Sequence, residues 1–533
     1  MQQEKDSLHS THSKNSKQSA QSTRSAHSAH SKNTVNSENT VRSAQSAHAK
    51  NTARSKQSVQ SKQSAQSAHS ENAAQSAHSE DRRKKTQTTQ TTEIDYVKAP
   101  IPKVYRRLLP SAIGSLLTAT VASFIDVVIL SHYLGPGMLA IVSLCMPIYM
   151  LVNTLSMLIA SGASTLYAQY LGEGDKQEAL RYFSVSVVHS LICGVVLTVV
   201  GLLFTDKVVW LLGANDAVAA QTAEYAHVLF FFMIPLMIYV LLLFFVRIDN
   251  DPTRVLAATS VCAGVNLVLD ILFVGPLHLG VKGAAMATCL AYTLGMFVNL
   301  THFISRKNTL KFIQRCLKGR SLRVWRIGLP LAASQLGMTV STQIFNNTVI
   351  RVGSEDYVAV YGVVIQLTMI SMAIYEGVGQ ASQPMLAAAY GAGRWKRIRR
   401  VFLYGLRLEL IGTVALALFY FLAANPVAGL FSIKEGALMD LALTAIRIYA
   451  LSLPMTGVNS IIMYYFQAQE KTGRALLISL LYSSVLLIAA LMILVALFRE
   501  KAIWGSYPAA QALALVISLL MLRRNQNERR THK

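Results

Sequence analysis

Asp126 and Asp270 are the residues best placed to do chemistry, because each stands inside an apolar run that holds no other charge. Asp126 lies in Ala-Ser-Phe-Ile-Asp-Val-Val-Ile, and Asp270 closes Asn266-Leu-Val-Leu-Asp270. A carboxylate in the middle of a lipid-length helix costs roughly 2.5–3.5 kcal/mol on insertion scales. Two such acids at similar depth call for a compensating role, and capture and release of a proton or Na⁺ supplies one. The plainer alternative is an Asp hydrogen-bonded to neighbouring helices or lying at the headgroup boundary. Asn266, four residues before Asp270, shares its helix face. Glu376, in Ile-Tyr-Glu-Gly-Val-Gly-Gln, is the clearest acid of the second half. It suits attraction of a cationic substrate or carriage of a second proton, or a place near the cytoplasmic interface on a tilted helix. Asp249 and Asp251 share a turn with Arg247 and Arg254, which predicts local salt bridging there.

The elements that carry these acids follow from composition. The chain has 533 residues, 52% hydrophobic and 14% charged, and the apolar content is concentrated in residues 98–533. Runs of about 20 apolar residues recur there, each long enough to cross roughly 30 Å of hydrocarbon. A soluble all-α protein would show one polar face per helix, whereas 185–204 and 478–498 are apolar all round. The pattern predicts an all-α integral membrane protein with twelve transmembrane helices. They lie near 104–134, 139–170, 179–204, 218–246, 254–274, 280–304, 324–352, 357–389, 396–423, 436–467, 474–498 and 502–522. Pro110, Pro147, Pro235, Pro330, Pro384 and Pro454 are candidate kink points.

Residues 1–97 form a low-complexity tail of Ser-Ala-His-Ser and Gln-Ser-Ala variants, read as disordered and cytoplasmic. Its histidines (His9, His12, His27, His30, His48, His69, His78) could bind metal, but their irregular spacing suits a solvated linker. The net charge of +23 sits in the tails and in alternate short loops, which is the positive-inside pattern and not a nucleic-acid face. It puts both termini and the 305–326 loop in the cytoplasm. The five cysteines show no CxxC or metal spacing. No phosphate loop of the GxxxxGK[ST] type occurs, which leaves an ion gradient as the energy source.

The sequence also repeats. Leu109-Pro110 and Leu329-Pro330 open the first and seventh spans. Gly172 and Gly391 close the second and eighth, and Pro235 pairs with Pro454, all at a spacing of 219–220. A six-span repeat keeps its orientation, so the halves should form two six-helix lobes related by a pseudo-two-fold along the membrane normal. Residues 98–310 form the N-lobe, 311–525 the C-lobe and 526–533 a basic tail. Under this repeat Asp126 pairs with the neutral Asn346, which assigns ion coupling to the first half.

These motifs together resemble the multidrug and toxic compound extrusion (MATE) transporters, in particular the DinF and MepA-like branches. The resemblance rests on Leu-Pro110 with Asp126, Ala168-Gln-Tyr-Leu-Gly-Glu-Gly-Asp175, Asn266…Asp270, Gly283-Ala-Ala-Met-Ala-Thr288 and Gln380-Ala-Ser-Gln-Pro384…Tyr390-Gly-Ala-Gly393. It covers about residues 100–525. It implies alternating access between two lobes, with drug export in exchange for H⁺ or Na⁺. By resemblance the first-lobe cation site falls on Asp126, Asn266, Asp270 and Thr288, with Asn153 as a further member. Acidic cation-binding positions known in spans seven and ten of the NorM-like branch match Met338 and Thr456 here, with Gln335 nearby, so a second-lobe carboxylate site of that type is not expected. Glu376, Gln380, Gln335, Tyr149, Met150 and Tyr375 are candidate substrate-binding residues, since flexible Met and flat rings suit varied lipophilic shapes. Packing against lipid is the more common reason for such residues.

The expectation is therefore a transporter and not an enzyme, with no cofactor beyond the H⁺ or Na⁺ gradient. It acts on small molecules, contacts membrane lipids, binds no nucleic acid and works as a monomer in a plasma membrane, of the bacterial inner-membrane type. The rival readings are a lipid-linked oligosaccharide flippase, which needs cations such as Arg351, Arg407 and Arg447 in a central cavity, and a membrane-embedded enzyme. His189 and His227 lie in spans, but without paired ligand spacing.

Overall fold

The computed structural model describes residues 95–531 apart from 217, 315, 318, 432, 434 and 435. The tail 1–97 and its histidines thus lie outside the described residues, except for 95–97. Among the described residues every regular element is a helix. The first half comprises α1 (Ile101–Leu134), α2 (Pro136–Glu173), α3 (Lys176–Leu203), α4 (Thr205–Leu211), α5 (Ala219–Phe231), α6 (Met233–Ile248), α7 (Pro252–Val274) and α8 (Gly280–Leu300). The second comprises α9 (Ser321–Val352), α10 (Glu355–Gly391), α11 (Trp395–Leu422), α12 (Ala424–Leu430), α13 (Ala437–Gln467), α14 (Thr472–Leu480), α15 (Leu486–Phe498) and α16 (Ser506–Thr531).

Among the described residues ten helices are long and apolar enough to cross a membrane, with α14 and α15 running on as one (Thr472–Phe498), and α5 with α6 make an eleventh, bent by 52° at their junction. The bend has a covalent cause. Pro235 has no N–H to give the carbonyl of Phe231, and its ring crowds that turn, so the helix breaks one turn earlier. The remaining expected span, α9, has the length (32 residues) but too polar a composition to pass by hydropathy. Thr339, Gln343 and Asn347 form an exposed stripe at four-residue spacing along it, and the Gln343 amide donates to Asn347 at 3.3 Å. A helix turned toward water in a cleft instead of toward lipid has this composition.

The apolar core explains where that cleft lies. One cluster takes residues from both halves, among them Val104, Leu108, Leu166, Met385, Ile461 and Phe466. A second is drawn almost wholly from the first half, around Ile141, Phe230 and Val281. A third belongs to the second half alone, around Phe345, Tyr361 and Tyr449. The halves therefore share a core at the end that carries the basic loops and part at the other end. Along α1 the buried positions run from Val104 to Ser115, after which only Leu130 is buried.

The shared end is closed by backbone contact. A Cβ on Gly172 of α2 would meet the Ala388 carbonyl oxygen of α10 at 2.0 Å, and one on Gly391 of α10 would meet the Gln169 oxygen of α2 at 2.0 Å. The two contacts exchange under the 219-residue repeat. Gly162 against Val324 and Gly328 against Leu158 make a like pair between α2 and α9, at 2.1 and 1.8 Å. Only glycine lets two helix backbones approach this closely. Gly172→Ala and Gly391→Ala should each lower the melting temperature of the purified protein, by the equivalent of about 1–3 kcal/mol. Gly264→Ala, at a position with open space around it, should leave it unchanged or raise it.

Candidate functional site

The fold gathers four of the five residues expected at the first-half ion site. Asp126 on α1 and Asp270 on α7 approach within hydrogen-bonding reach of one another. The Asn266 amide donates to Asp270 Oδ2 at 2.7 Å and reaches Thr288 Oγ1 on α8 at 3.4 Å. Asp270 is fully buried. One oxygen of each acid, Oδ1 of Asp126 and of Asp270, is buried with no hydrogen-bond partner. Tyr225 of α5 lies within electrostatic range of both acids. Asn153 on α2 is half-buried and joins none of these hydrogen bonds. Two carboxylates in contact repel unless a proton or a cation sits between them. The orphaned oxygens provide acceptor sites for either.

The second half holds an acid pair that the sequence analysis only half found. Glu376 of α10 is 2% exposed and accepts from the Tyr464 hydroxyl of α13 at 2.6 Å. Near it lies Glu409 of α11, fully buried, with neither carboxylate oxygen partnered. Glu409 stands in Arg-Leu-Glu-Leu-Ile-Gly, where a neighbouring arginine masks it, yet an acid ahead of an apolar run is the same signal that marked Asp126. Its side chain packs on Gly457 of α13. Met338 and Thr456 are neutral as expected, and Thr456 spends its hydroxyl on the Ser452 carbonyl at 2.9 Å. Among the described residues the buried second-half acids thus reside on α10 and α11 and not on α9 and α13.

The candidate substrate residues fall into two groups. Met150 of α2 receives a contact from Thr339 Oγ1 of α9 at 3.8 Å, across the two halves, and Gln335 stands one turn from Thr339 on α9. Tyr149 is hydrogen-bonded to Tyr292 of α8. Gln380 and Tyr375 lie with Glu376 inside α10's buried face. Gln380 accepts from Arg247 Nη1 at 2.6 Å. This corrects the reading of Arg247 as a member of the local salt-bridged turn: it is 4% exposed and crosses to the second half.

The turn itself is bridged without it. Asp251 pairs with Arg254 and Lys307, each at 2.8 Å, and His302 is wedged between Asp249 at 2.8 Å and Asp251 at 3.4 Å. Burial works to raise the Asp251 carboxyl, but the Lys307 and Arg254 charges outweigh it and hold it below the usual carboxylate range. Thr309 N–H donates to Asp249 at 2.7 Å, which pins the connecting loop to the first half. Among the described residues no group of His, Cys, Asp and Glu has the arrangement of a metal site, and the five cysteines are free.

These features define a multi-span helical membrane protein with acids buried among its spans. The chain belongs to the MATE family: its sequence matches MatE over residues 110–272 and again over 330–494. Membership places it among transporters and not enzymes. It is 22% identical over 433 residues to the multidrug export protein MepA of Staphylococcus aureus strain MRSA252, across 80% of this chain and 94% of MepA. Its fold is similar to an outward-facing multidrug resistance MATE family transporter of the MOP superfamily (TM-score 0.76, 26% identity, 81% of this chain and 97% of that one). It is also similar to a MOP superfamily transporter from Pyrococcus furiosus (TM-score 0.74, 25% identity, with the same coverage).

Tyr464→Phe should destabilise the protein by about 1–3 kcal/mol, because it strands a buried Glu376 oxygen. Glu409→Gln, which removes no hydrogen bond, should leave the melting temperature at or above that of the wild type. Thermal unfolding of the two purified variants checks both.

Proposed function

We propose that this chain is an ion-coupled antiporter that exports lipophilic, often cationic, small molecules by alternating access, driven by H⁺ or Na⁺. The observation that carries this reading is the Asp126–Asp270 contact, with Asn266 and Thr288 on the remaining side. An acid pair with buried, orphaned oxygens changes its contacts when an ion binds or leaves, and it joins α1 to α7, so occupancy alters how those helices pack. Export of drugs is supported by the names of the relatives and by the cleft between the halves, which offers Met150, Gln335 and the polar stripe of α9 to a passing molecule. Glu376 and Glu409 supply negative charge, or a second proton, on the other side.

In this reading α9 is the twelfth span. Residues 98–310 and 311–525 are the two lobes, related by a pseudo-two-fold along the membrane normal. The basic loops and both termini face the cytoplasm, the protein works as a monomer in a plasma membrane, and the cleft opens outward. The flippase alternative needs cations converging on a central cavity. Arg351, Arg407 and Arg447 are exposed and stand on three different helices, and Arg447 lies over the Phe421 ring at 5.7 Å. Among the described residues the one buried arginine, Arg247, gives its Nη1 to Gln380 and leaves its Nε unpartnered, a lone cation and not a cluster.

Asp126→Asn should abolish gradient-driven dye efflux from cells while leaving the protein inserted at wild-type levels. Efflux at the wild-type rate would remove the coupling role. Imposing pH and sodium gradients separately on the wild type identifies the ion by which gradient sustains transport.

A further inference from the structure

A cavity of about 560 Å³ opens at the basic end between the segment leading into α1 and the turn between α10 and α11. Lys98, Arg394, Lys396, Arg397 and Arg400 all line it. Arg397 is spent on structure: its Nε donates to the Tyr96 carbonyl at 2.9 Å and its Nη2 to the Ala99 carbonyl at 2.6 Å. Arg394 reaches the Val97 carbonyl at 3.5 Å. The side chains of Lys98, Lys396 and Arg400 have no ion-pair or hydrogen-bond partner among the described residues. The acid in electrostatic range of Arg397 is Asp95, while Arg394 and Arg400 crowd it with like charge. Asp95 Oδ1 already accepts the Val97 and Lys98 backbone N–H groups.

Two helix N-termini add to the positive potential. α1 and α11 both begin at this cavity, and neither start is capped by a side chain. Helices of 34 and 28 residues bring the positive ends of their dipoles there. An excess of cations around a cavity is stabilised by an anion with several acceptor oxygens, and a phosphate has them. The walls say which phosphate. Val97, Ile101 and Trp395 complete the lining, and Trp395 is 40% exposed. An aromatic ring beside basic residues at a helix end sits at headgroup depth.

We propose that this cavity binds the phosphate of an anionic phospholipid headgroup, and that the bound lipid ties the two halves together at their basic end. The second point follows from the lining, because residues 97–101 lead the first half and 393–400 belong to the second. The same segment is already strapped to both: the Tyr96 hydroxyl donates to the Ile248 carbonyl at 2.8 Å, and Arg397 holds its backbone from the other side. A headgroup phosphate adds a charged link to this strap. The site is independent of the buried acids, so it stands or falls separately from ion coupling.

The test uses the full-length protein in nanodiscs of phosphatidylcholine, of phosphatidylcholine with phosphatidylglycerol, and of phosphatidylcholine with added inorganic phosphate. The wild type should melt higher with phosphatidylglycerol than in either other condition. The variant Lys98→Gln/Lys396→Gln/Arg400→Gln should melt like the wild type in phosphatidylcholine and lose that rise. Each basic charge near an anionic surface contributes roughly fivefold, so its affinity for phosphatidylglycerol by native mass spectrometry should fall on the order of a hundredfold. A control with equal charge removed elsewhere, Arg306→Gln/Lys311→Gln/Arg523→Gln, should keep the rise. A rise that survives in the first variant, or vanishes equally in the control, overturns the site. An equal rise from inorganic phosphate alone overturns the lipid assignment.

Discussion

Backbone contact between α2 and α10 is the constraint on which the rest of the structure depends. Gly172 against Ala388 and Gly391 against Gln169 leave no room for a methyl group on either side. Lipid tails are as apolar as leucine, so membrane helices gain little from hiding apolar surface from one another and associate through close packing. The glycine contacts supply that packing at one end only. With the halves clamped there, the opposite end is free to part, and the polar stripe of α9 has water to face. Because the repeat generates both contacts, a change that spoils one has its mirror image in the other half.

The clamp also decides what the buried acids can do. Asp126 sits on α1, whose buried face ends at Ser115 except for Leu130, so its carboxyl lies beyond the shared core. It meets Asp270 inside the first half, where α7 packs against α1. Glu376 and Glu409 occupy the second half, and the buried Arg247 reaches from the first half to Gln380, one turn beyond Glu376. Each half thus holds an acid pair, but by different helices: α1 and α7 in one, α10 and α11 in the other. The repeat preserved the scaffold while the charges were placed independently on it, as the pairing of Asp126 with Asn346 already indicates.

Much of this is visible in the residues. Hydropathy marks the spans because a helix facing lipid must be apolar all round, whereas proline alone does not mark a break: the helix breaks beside Pro235, but Pro110, Pro147, Pro330, Pro384 and Pro454 lie inside continuous helices. Asn266 and Asp270 announce their contact by a four-residue spacing. Other features are not visible. The span expected at 324–352 does not pass by hydropathy once its helix, α9, is seen whole, since water in a cleft and water outside the membrane select the same side chains. Glu409 is masked by its neighbour Arg407, which is exposed while Glu409 is buried; two positions along a helix turn a side chain by about 200°, from solvent to interior. Arg247 looked tied to its own turn because the nearest acids in sequence were there.

By itself the sequence determined the class of molecule, the order of its spans, the two-fold repetition and the identity of the first acid pair. These are local or periodic properties, set by side-chain transfer energies and by helix geometry within one segment. The tertiary structure alone decided which glycines touch, which end of the bundle is closed, that Glu409 lies beside Glu376, and that Arg247 turns to Gln380. Those are contacts between residues more than thirty positions apart, and no spacing along the chain encodes the angle at which two helices cross.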